Sequence, residues 1–330
     1  MIITTPSRLH LTLIDLNGSC GRIDGSVGIT IKDPELVLRL KKSDNNINIH
    51  FKDFENLSEK LMQEYSNKIK NSASNILKYL NMDSGFDFYV ENVYPTHSGL
   101  GSGTQLSMAT AKLIADYYDV PVENSTLGVI VGRGGTSGIG VGSFDHGGFI
   151  VDGGHSRKQK SDFLPSSVSS ASPPPLLASY DFPEDWDIVL VIPNLEAGAS
   201  GKKEVNIFQE NCPIPLQEVQ KLSHIILMKM MPAVLEKDLD SFGDALNQIQ
   251  TTGFKKIEME LQDDLINHIL NDMRQAGAVG AGMSSFGPTL FAVTQNNSKD
   301  VLKAAQEAME CQGGLSMITR AQNTGARVEK

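Results

Sequence analysis

Cysteine is scarce in this chain of 330 residues: Cys20, Cys212 and Cys311 are odd in number and far apart. Such a set gives neither a disulfide framework nor a thiolate zinc site. The seven histidines show no paired ligand spacing. A bound metal is therefore expected to be a hard ion such as Mg²⁺, held by carboxylates and phosphate oxygens. Positive charge is also in deficit. The 29 Lys and Arg face 39 Asp and Glu, for a net charge of −10, and general nucleic-acid affinity needs the opposite sign. No run reaches the roughly 18–20 apolar residues of a membrane span. The opening Met1-Ile-Ile-Thr-Thr-Pro6 lacks basic residues and runs into a strand pattern, unlike a signal peptide. A cytoplasmic location is expected by default.

With 40% hydrophobic and 21% charged residues the composition is that of a globular protein. Its length exceeds one comfortable core, so two domains are expected. Residues 1–165 begin with β-rich runs, followed by a helical pattern over Leu57–Leu80 and a strand over Phe86–Val93. Helices are predicted up to about Tyr118 and over Glu123–Val131, and a strand over Phe149–Val151. Residues 166–185 are rich in Ser and Pro and read as a linker. Residues 186–330 open with a strand, Trp186–Ile192. Helical patterns follow at Leu216–Leu235, Leu239–Thr251 and Leu261–Ala276, then a glycine-rich turn over Gly277–Gly287, a strand to Val293, helix Lys299–Met309 and strand Ser316–Ala321. Strands separated by helices, with antiparallel pairing expected, predict an α+β fold.

The most informative stretch is Pro95-Thr-His-Ser-Gly-Leu-Gly-Ser-Gly-Thr-Gln105, with a helical pattern directly behind it. Glycines let backbone N–H groups converge without a Cβ in the way, and a helix N-terminus adds unpaired donors and partial positive charge. That combination suits a phosphate or pyrophosphate. A tight connection is the structural alternative. The stretch fits neither common phosphate loop: no Lys follows the last glycine, and Gly99-Leu-Gly101 lacks the third glycine at the required spacing.

Two further segments frame it: Pro6-Ser-Arg-Leu-His-Leu11 before it and Gly280-Ala-Gly-Met-Ser-Ser-Phe-Gly-Pro-Thr289 near the C-terminus. In this order the three resemble the motifs of the GHMP superfamily of small-molecule kinases. The resemblance implies a GHMP-kinase-like two-domain fold. Its N-terminal domain would resemble domain 2 of ribosomal protein S5, its C-terminal domain would be a ferredoxin-like α/β sandwich, and the ligand would lie between them. One departure is specific. Aligned on Ser137-Gly138 and Gly147-Gly148, the kinases' catalytic Asp position holds Gly140, and glycine cannot take a proton. The acidic position late in the first motif likewise holds Ile14.

Longer blocks resemble a non-kinase branch, the β-ribofuranosylaminobenzene 5′-phosphate synthases. They are Pro6–Asn17, Gly99–Gln105, Gly132–Gly140, Gly147–His155, Phe163–Ser167, Gly253–Lys255 and Met283–Thr289. The resemblance implies a pentosyltransferase that condenses phosphoribosyl pyrophosphate with 4-aminobenzoate or a close aromatic acid. Pyrophosphate and CO₂ would be released, early in methanopterin biosynthesis in an archaeon. It also implies Mg²⁺, no PLP or other organic cofactor, small-molecule partners only, and a homodimer.

That chemistry asks for a cradle for the leaving group and negative charge near a sugar cation. Gly99, Gly101, Ser102, Gly103 and Thr104 are the candidate phosphate loop, with Arg8 and Arg133 as guanidinium clamps. Arg8, His10 and Thr12 alternate with Leu9, Leu11 and Leu13, which places the three on one polar strand face. His10, Thr136, Ser137, Ser284 and Ser285 are candidate substrate contacts. Asp24, Asp145, Arg22 and His97 are candidate catalytic residues, with Asp24 and Asp145 also candidate metal ligands. Asp152, His155, Lys202 and Lys203 are further candidates, the lysines behind a turn Gly198–Gly201. Each has a structural alternative in turn chemistry or ion pairing. An ATP-dependent small-molecule kinase and a non-catalytic nucleotide or sugar-phosphate sensor are the competing readings.

Gly140 separates the enzyme readings. Gly140→Asp is expected to restore no ATP-dependent phosphorylation of hydroxylated metabolites, because a base is useless where no alcohol is held. Phosphoryl transfer by this variant in an ATP-consumption assay would favour the kinase reading.

Overall fold

The computed structural model describes residues 1–44, 46–52, 57–166, 168–195 and 201–330. The chain begins with β1 (Ile2–Asp15), β2 (Arg22–Ser43), β3 (Ile47–Phe51), α1 (Glu59–Leu80), β4 (Gly85–Asn92) and α2 (Ser102–Tyr117). It continues through α3 (Asn124–Ile130), α4 (Ile139–Asp145), β5 (Phe149–Asp152), β6 (His155–Ser156), β7 (Leu176–Tyr180) and β8 (Asp187–Pro193). Six helices follow: α5 (Lys202–Asn211), α6 (Leu216–Ile225), α7 (Met231–Glu236), α8 (Leu239–Ile249), α9 (Gly253–Glu260) and α10 (Asp264–Gln275). The chain closes with β9 (Gly280–Met283), β10 (Leu290–Thr294), α11 (Ser298–Ala308), β11 (Gly314–Thr319) and β12 (Arg327–Glu329).

These elements form an α+β fold on two sheets. The first runs β12-β1-β2-β4-β3, with β5 and β6 also pairing β2 and β7 pairing β5. The 22-residue β2 organises it: the first half pairs with β5 and β6, the second half with β4, and both halves with β1. The second sheet, β11-β8-β10-β9, is wholly antiparallel. Helix α2 packs between β1 and β2 on one side and α1 on the other, and so is buried around most of its circumference.

Glycine is what the local sequence pattern mistakes here. Gly132–Gly142 reads as too glycine-rich for a regular element, yet its second half is α4. Ile139, Val141 and Phe144 are buried, while Gly142 leaves only 3.1 Å between a would-be Cβ and the Ile150 side chain. The glycines let this helix lie close to its neighbours. Likewise part of the expected turn Gly277–Gly287 is strand β9. A Cβ at Gly280 would stand 2.7 Å from the Gly243 backbone, so the glycines form the seam between sheet and α8. The linker 166–185 contains β7, which pairs with β5 from Phe149↔Tyr180 to Asp152↔Leu176. The second half also returns a strand to the first sheet, with β12 pairing β1. The single helix expected over Leu216–Leu235 is interrupted by a π-turn, Ile226–Met230. Pro232 follows and has no N–H for the carbonyl four residues back.

One apolar core runs from β1, β2, α1 and α2 through to β8 and α8. Within it Phe182 meets Trp186 and Phe242 edge to face, and the tilted Trp186 and Phe242 rings have centroids 5.4 Å apart. A smaller cluster of Leu13, Leu16, Phe208, Phe254 and Phe286 joins β1 to the helices of the second half. Phe242→Ala should cost about 3–5 kcal/mol, the usual range for a buried aromatic deleted from a packed core. Urea unfolding followed by the fluorescence of Trp186, the chain's one tryptophan, measures this directly.

Candidate active site

The chain leaves β4 through Pro95 and enters α2 over the glycine loop. Gly99 and Gly101 have φ of +90° and +82°, a region that side chains disfavour. A Cβ at Gly99 would collide with the Ser284 carbonyl oxygen. Gly101 is the α2 N-cap and supplies no capping side chain. The Thr104 N–H turns back to the Gly101 carbonyl, leaving Ser102 and Gly103 N–H groups without an intrahelical acceptor.

A cleft of about 420 Å³ opens in front of this helix end. Gly99, Gly101, Ser102, Gly103 and Thr104 line it, as do Arg8, His97, Arg133, Ser137, Gly140 and Ser285. The structure thus brings most of the residues read from the motifs to one place. The Arg8 Nη1 donates to the Gly99 carbonyl, and burial lowers its pKa to about 10. Arg133 reaches Ser107 Oγ at 3.5 Å, and burial lowers its pKa too. The buried Nε atoms of both arginines lack a hydrogen-bond partner among the described residues. Two guanidinium groups short of acceptors beside a helix N-terminus are the kind of donor set that suits an anion.

Helix α1 contributes a group with no motif around it. Glu64 and Lys68 lie one turn apart, face the cleft and form an ion pair. Glu64 Oε1 also sits 2.9 Å from His97 Nε2. Burial acts to raise the Glu64 carboxyl, but Lys68 and His97 outweigh it and hold it below its usual range. Only amphipathic spacing marks these residues in sequence, and that pattern cannot tell a cleft from open solvent.

The opposite wall comes from the C-terminal motif. Ser284 Oγ donates to the Gly99 carbonyl at 2.6 Å and accepts from the His10 N–H at 2.9 Å. Ser284 is fully buried behind the wall, while Ser285 faces the cleft. Beneath them the buried Lys255 donates to the Ser285 carbonyl at 3.0 Å and pairs with the buried Glu258. Burial pushes each toward its neutral form, and each opposes that in the other. Removing one partner would leave an uncompensated charge, which typically costs about 3–5 kcal/mol. His10 is buried outside the cleft lining. Burial, with Arg8 and Lys255 nearby, holds its imidazole neutral.

Several expectations need correction. The polar face on β1 ends at His10: a register shift between His10 and Thr12 sends Leu13 to the face of Arg8 and Thr12 to that of Leu9. Asp24 and Asp145 are not brought together. Asp24 is buried and accepts from His155 Nδ1 at 2.6 Å and Lys160 Nζ at 2.9 Å. Asp145 lies at the end of α4, accepting from Asn124 at 2.6 Å. Arg22 spans the turn after β5, donating to the Gly153 and Gly154 carbonyls at 2.9 and 2.7 Å. Thr136 is buried behind the lining between Lys160 and the Leu164 carbonyl. Lys202 and Lys203 begin α5, while residues 198–200 of the turn before them and Ser167 lie outside the described residues.

For a metal, the fit is narrow. Among the described residues no three His, Cys, Asp or Glu converge, and the cleft carboxylates are Glu64 and Glu204. This donor set matches Mg²⁺ carried in on diphosphate oxygens, with at most one or two protein carboxylates completing its shell. It does not match a dedicated cage at Asp24 and Asp145.

Comparison with known proteins agrees with this architecture. Models of the GHMP kinase N-terminal and C-terminal domains match residues 67–151 and 230–314. A mevalonate kinase of L. major, solved in complex with R-mevalonate, superposes with a TM-score of 0.71 at 14% identity, covering 98% of this chain and 96% of that one. The β-ribofuranosylphenol 5′-phosphate synthase of Methanothermobacter thermautotrophicus is 56% identical over 99% of this chain and 98% of its own. Its namesake from Methanocaldococcus jannaschii is 44% identical over 99% and 100%. With the kinase fold present, Gly140 in place of the acid and identity of this extent over the full length, the chain belongs to the family of β-ribofuranosylphenol 5′-phosphate synthases, enzymes built on the GHMP kinase fold.

Proposed function

We propose that the protein condenses phosphoribosyl pyrophosphate with a para-substituted benzoate, releasing pyrophosphate and CO₂, at an early step of methanopterin biosynthesis. The relatives' names carry a phenol where the sequence resemblance alone implied an aminobenzene. The preferred aromatic acid is accordingly 4-hydroxybenzoate, with 4-aminobenzoate the alternative.

The observation that carries this reading is the pair of buried guanidinium groups with orphaned Nε donors beside the glycine loop. The diphosphate lies over the N–H groups of Ser102 and Gly103, flanked by Arg8, Arg133 and Lys68. As the C1–O bond breaks, negative charge grows on this group, and donors already in place stabilise it without reorganising. The aromatic carbon attacks C1 from the other face, and loss of the carboxylate as CO₂ restores the ring. Mg²⁺, when bound, would share the neutralisation of the diphosphate, with Glu64 and Glu204 as the carboxylates within the cleft. The protein's remaining contribution is to align the partners and exclude water. Gly140 supports the same reading. A Cβ there would stand 3.1–3.3 Å from the Thr104 side chain, so an acid at this position would crowd the phosphate loop.

Purified protein with phosphoribosyl pyrophosphate, Mg²⁺ and carboxyl-labelled 4-hydroxybenzoate should release labelled CO₂, and excess chelator should abolish it. Absence of release from both the hydroxy and the amino acid would refute the assignment, and full activity in metal-free buffer would remove the metal from it.

Gly101→Val tests the loop itself. Valine disfavours positive φ, and its Cβ would stand 3.1 Å from the Arg8 side chain, so loop and clamp shift together. Losing one preorganised donor costs on the order of 10²–10³ in rate. Calorimetry should show weakened binding of phosphoribosyl pyrophosphate alongside the lost turnover, with circular dichroism reporting a folded protein. Normal binding and turnover would move the phosphate site elsewhere.

A further inference from the structure

Behind the cleft wall lies a carboxylate the reaction above does not use. Asp152, at the end of β5, is buried. Its Oδ1 accepts from the Gly154 N–H at 2.9 Å and its Oδ2 from the Gly138 N–H at 2.9 Å. Gly138 carries no side chain, and a Cβ there would press to 3.2 Å on Asp152 itself. Oδ2 also accepts from Ser26 Oγ, and Ser26 Oγ lies 2.7 Å from Ser137 Oγ. Ser137 in turn lines the cleft.

The proton order in this chain follows from counting donors. A hydroxyl has one hydrogen. Ser26 commits its hydrogen to the ionised carboxylate, so the bond between the serines must be donated by Ser137. The Ile139 N–H supplies one further bond to Ser137 Oγ at 3.3 Å. What Ser137 presents to the cleft is therefore a lone pair, the end of a file that can accept a proton from a bound hydroxyl.

We propose that Ser137, Ser26 and Asp152 form a proton relay that takes the para-hydroxyl proton of the aromatic acid as its ring attacks the sugar. This rests on the proposed function. The phenolic O–H bond breaks as its proton passes to Ser137 Oγ. Ser137 passes its own proton to Ser26, and Ser26 passes its own to Asp152 Oδ2. The freed oxygen pair pushes into the ring, the para carbon bonds to C1, and the C1–O pair leaves with the diphosphate. The carboxylate's bonding pair then returns to the ring as CO₂ departs, and the relay runs backward to reprotonate the phenol. No oxidant, reductant or net proton is required. Ser137 is the catalytic residue; Ser26 and Asp152 act through it.

The electrostatics suit the role. Burial raises Asp152 to about 6 against the three bonds it accepts and the opposing influence of the neighbouring His155. His155 is bonded to Asp24, which also accepts from Lys160, so these three groups face the site from β6, β2 and the segment after β6. The carboxyl is ionised at neutral pH, and at that burial is a stronger base than a solvated Asp. The relay should therefore fail as pH drops through about 6.

S137A breaks the file at the cleft without removing any bond to Asp152, and S26A disconnects the carboxylate. Each should lower kcat by about 10²-fold or more while KM for phosphoribosyl pyrophosphate stays near wild type. The wild-type acidic limb near pH 6 should vanish in S26A. With 2,3,5,6-tetrafluoro-4-hydroxybenzoate, whose four fluorines leave the phenol ionised at neutral pH, the gap between wild type and S137A should close, which a packing defect would not allow. Wild-type kcat and an unchanged acidic limb in both folded variants would overturn the relay alone. Failure of wild-type protein to release CO₂ would overturn both the relay and the function beneath it.

Discussion

The carbonyl oxygen of Gly99 is the point on which the site depends. It accepts from the Arg8 guanidinium on β1 and from Ser284 Oγ in the C-terminal motif, so one backbone atom joins three of the segments that line the cleft. Each bond is modest by itself, about 1 kcal/mol net and more for the charged donor. Their geometric consequence is larger. They fix the loop's φ at +90°, turn the following N–H groups outward and hold Arg8 flat against Gly101. The Ser285 N–H to the His10 carbonyl at 3.0 Å and the Thr289 N–H to the Ser98 carbonyl at 3.1 Å close the same seam from either side. Three remote segments of the site are thereby held in part by backbone–backbone bonds, which do not change rotamer when a ligand enters.

Much of this was legible in the sequence, and for a physical reason. The glycine loop is local: glycines that need positive φ and a helix that starts behind them are adjacent in the chain, so composition alone points to them. Helices α8, α10 and α11 follow from apolar spacing because one face of each is buried, whereas α5 and α9, of 10 and 8 residues, escape so short a pattern. What local patterns cannot supply is where remote elements meet. Glu64 and Lys68 look like any exposed pair spaced four apart, and only the packing of α1 against α2 turns them to the cleft. The bulge in β1 inverts the face of Thr12 and Leu13, and nothing in Leu9–Leu13 announces it. Glycine itself caused a further share of the errors, since it serves close packing in α4 and β9 as readily as it serves turns. Asp24 and Arg22 stand beside glycines as phosphate- or metal-binding residues would. Here one is buried against His155 and Lys160, and the other spans two backbone carbonyls.

The arrangement of charge explains how a kinase scaffold can host a reaction of another class. In a phosphotransferase the base must stand in the cleft, beside the alcohol it serves. At Gly140 that position is empty, and the surrounding lining is cationic or neutral apart from Glu64 and Glu204. A free carboxylate in the midst of the phosphate loop would repel a diphosphate at several kcal/mol if poorly screened. Asp152 avoids this because it stands behind two hydroxyls, its charge bound by backbone N–H groups of Gly138 and Gly154. Basicity is thus available at the cleft surface through Ser137 while the negative charge stays in the wall. In the proposed reaction, separating the base from its charge in this way would let one cavity bind an anionic leaving group and still accept a proton from its neighbour.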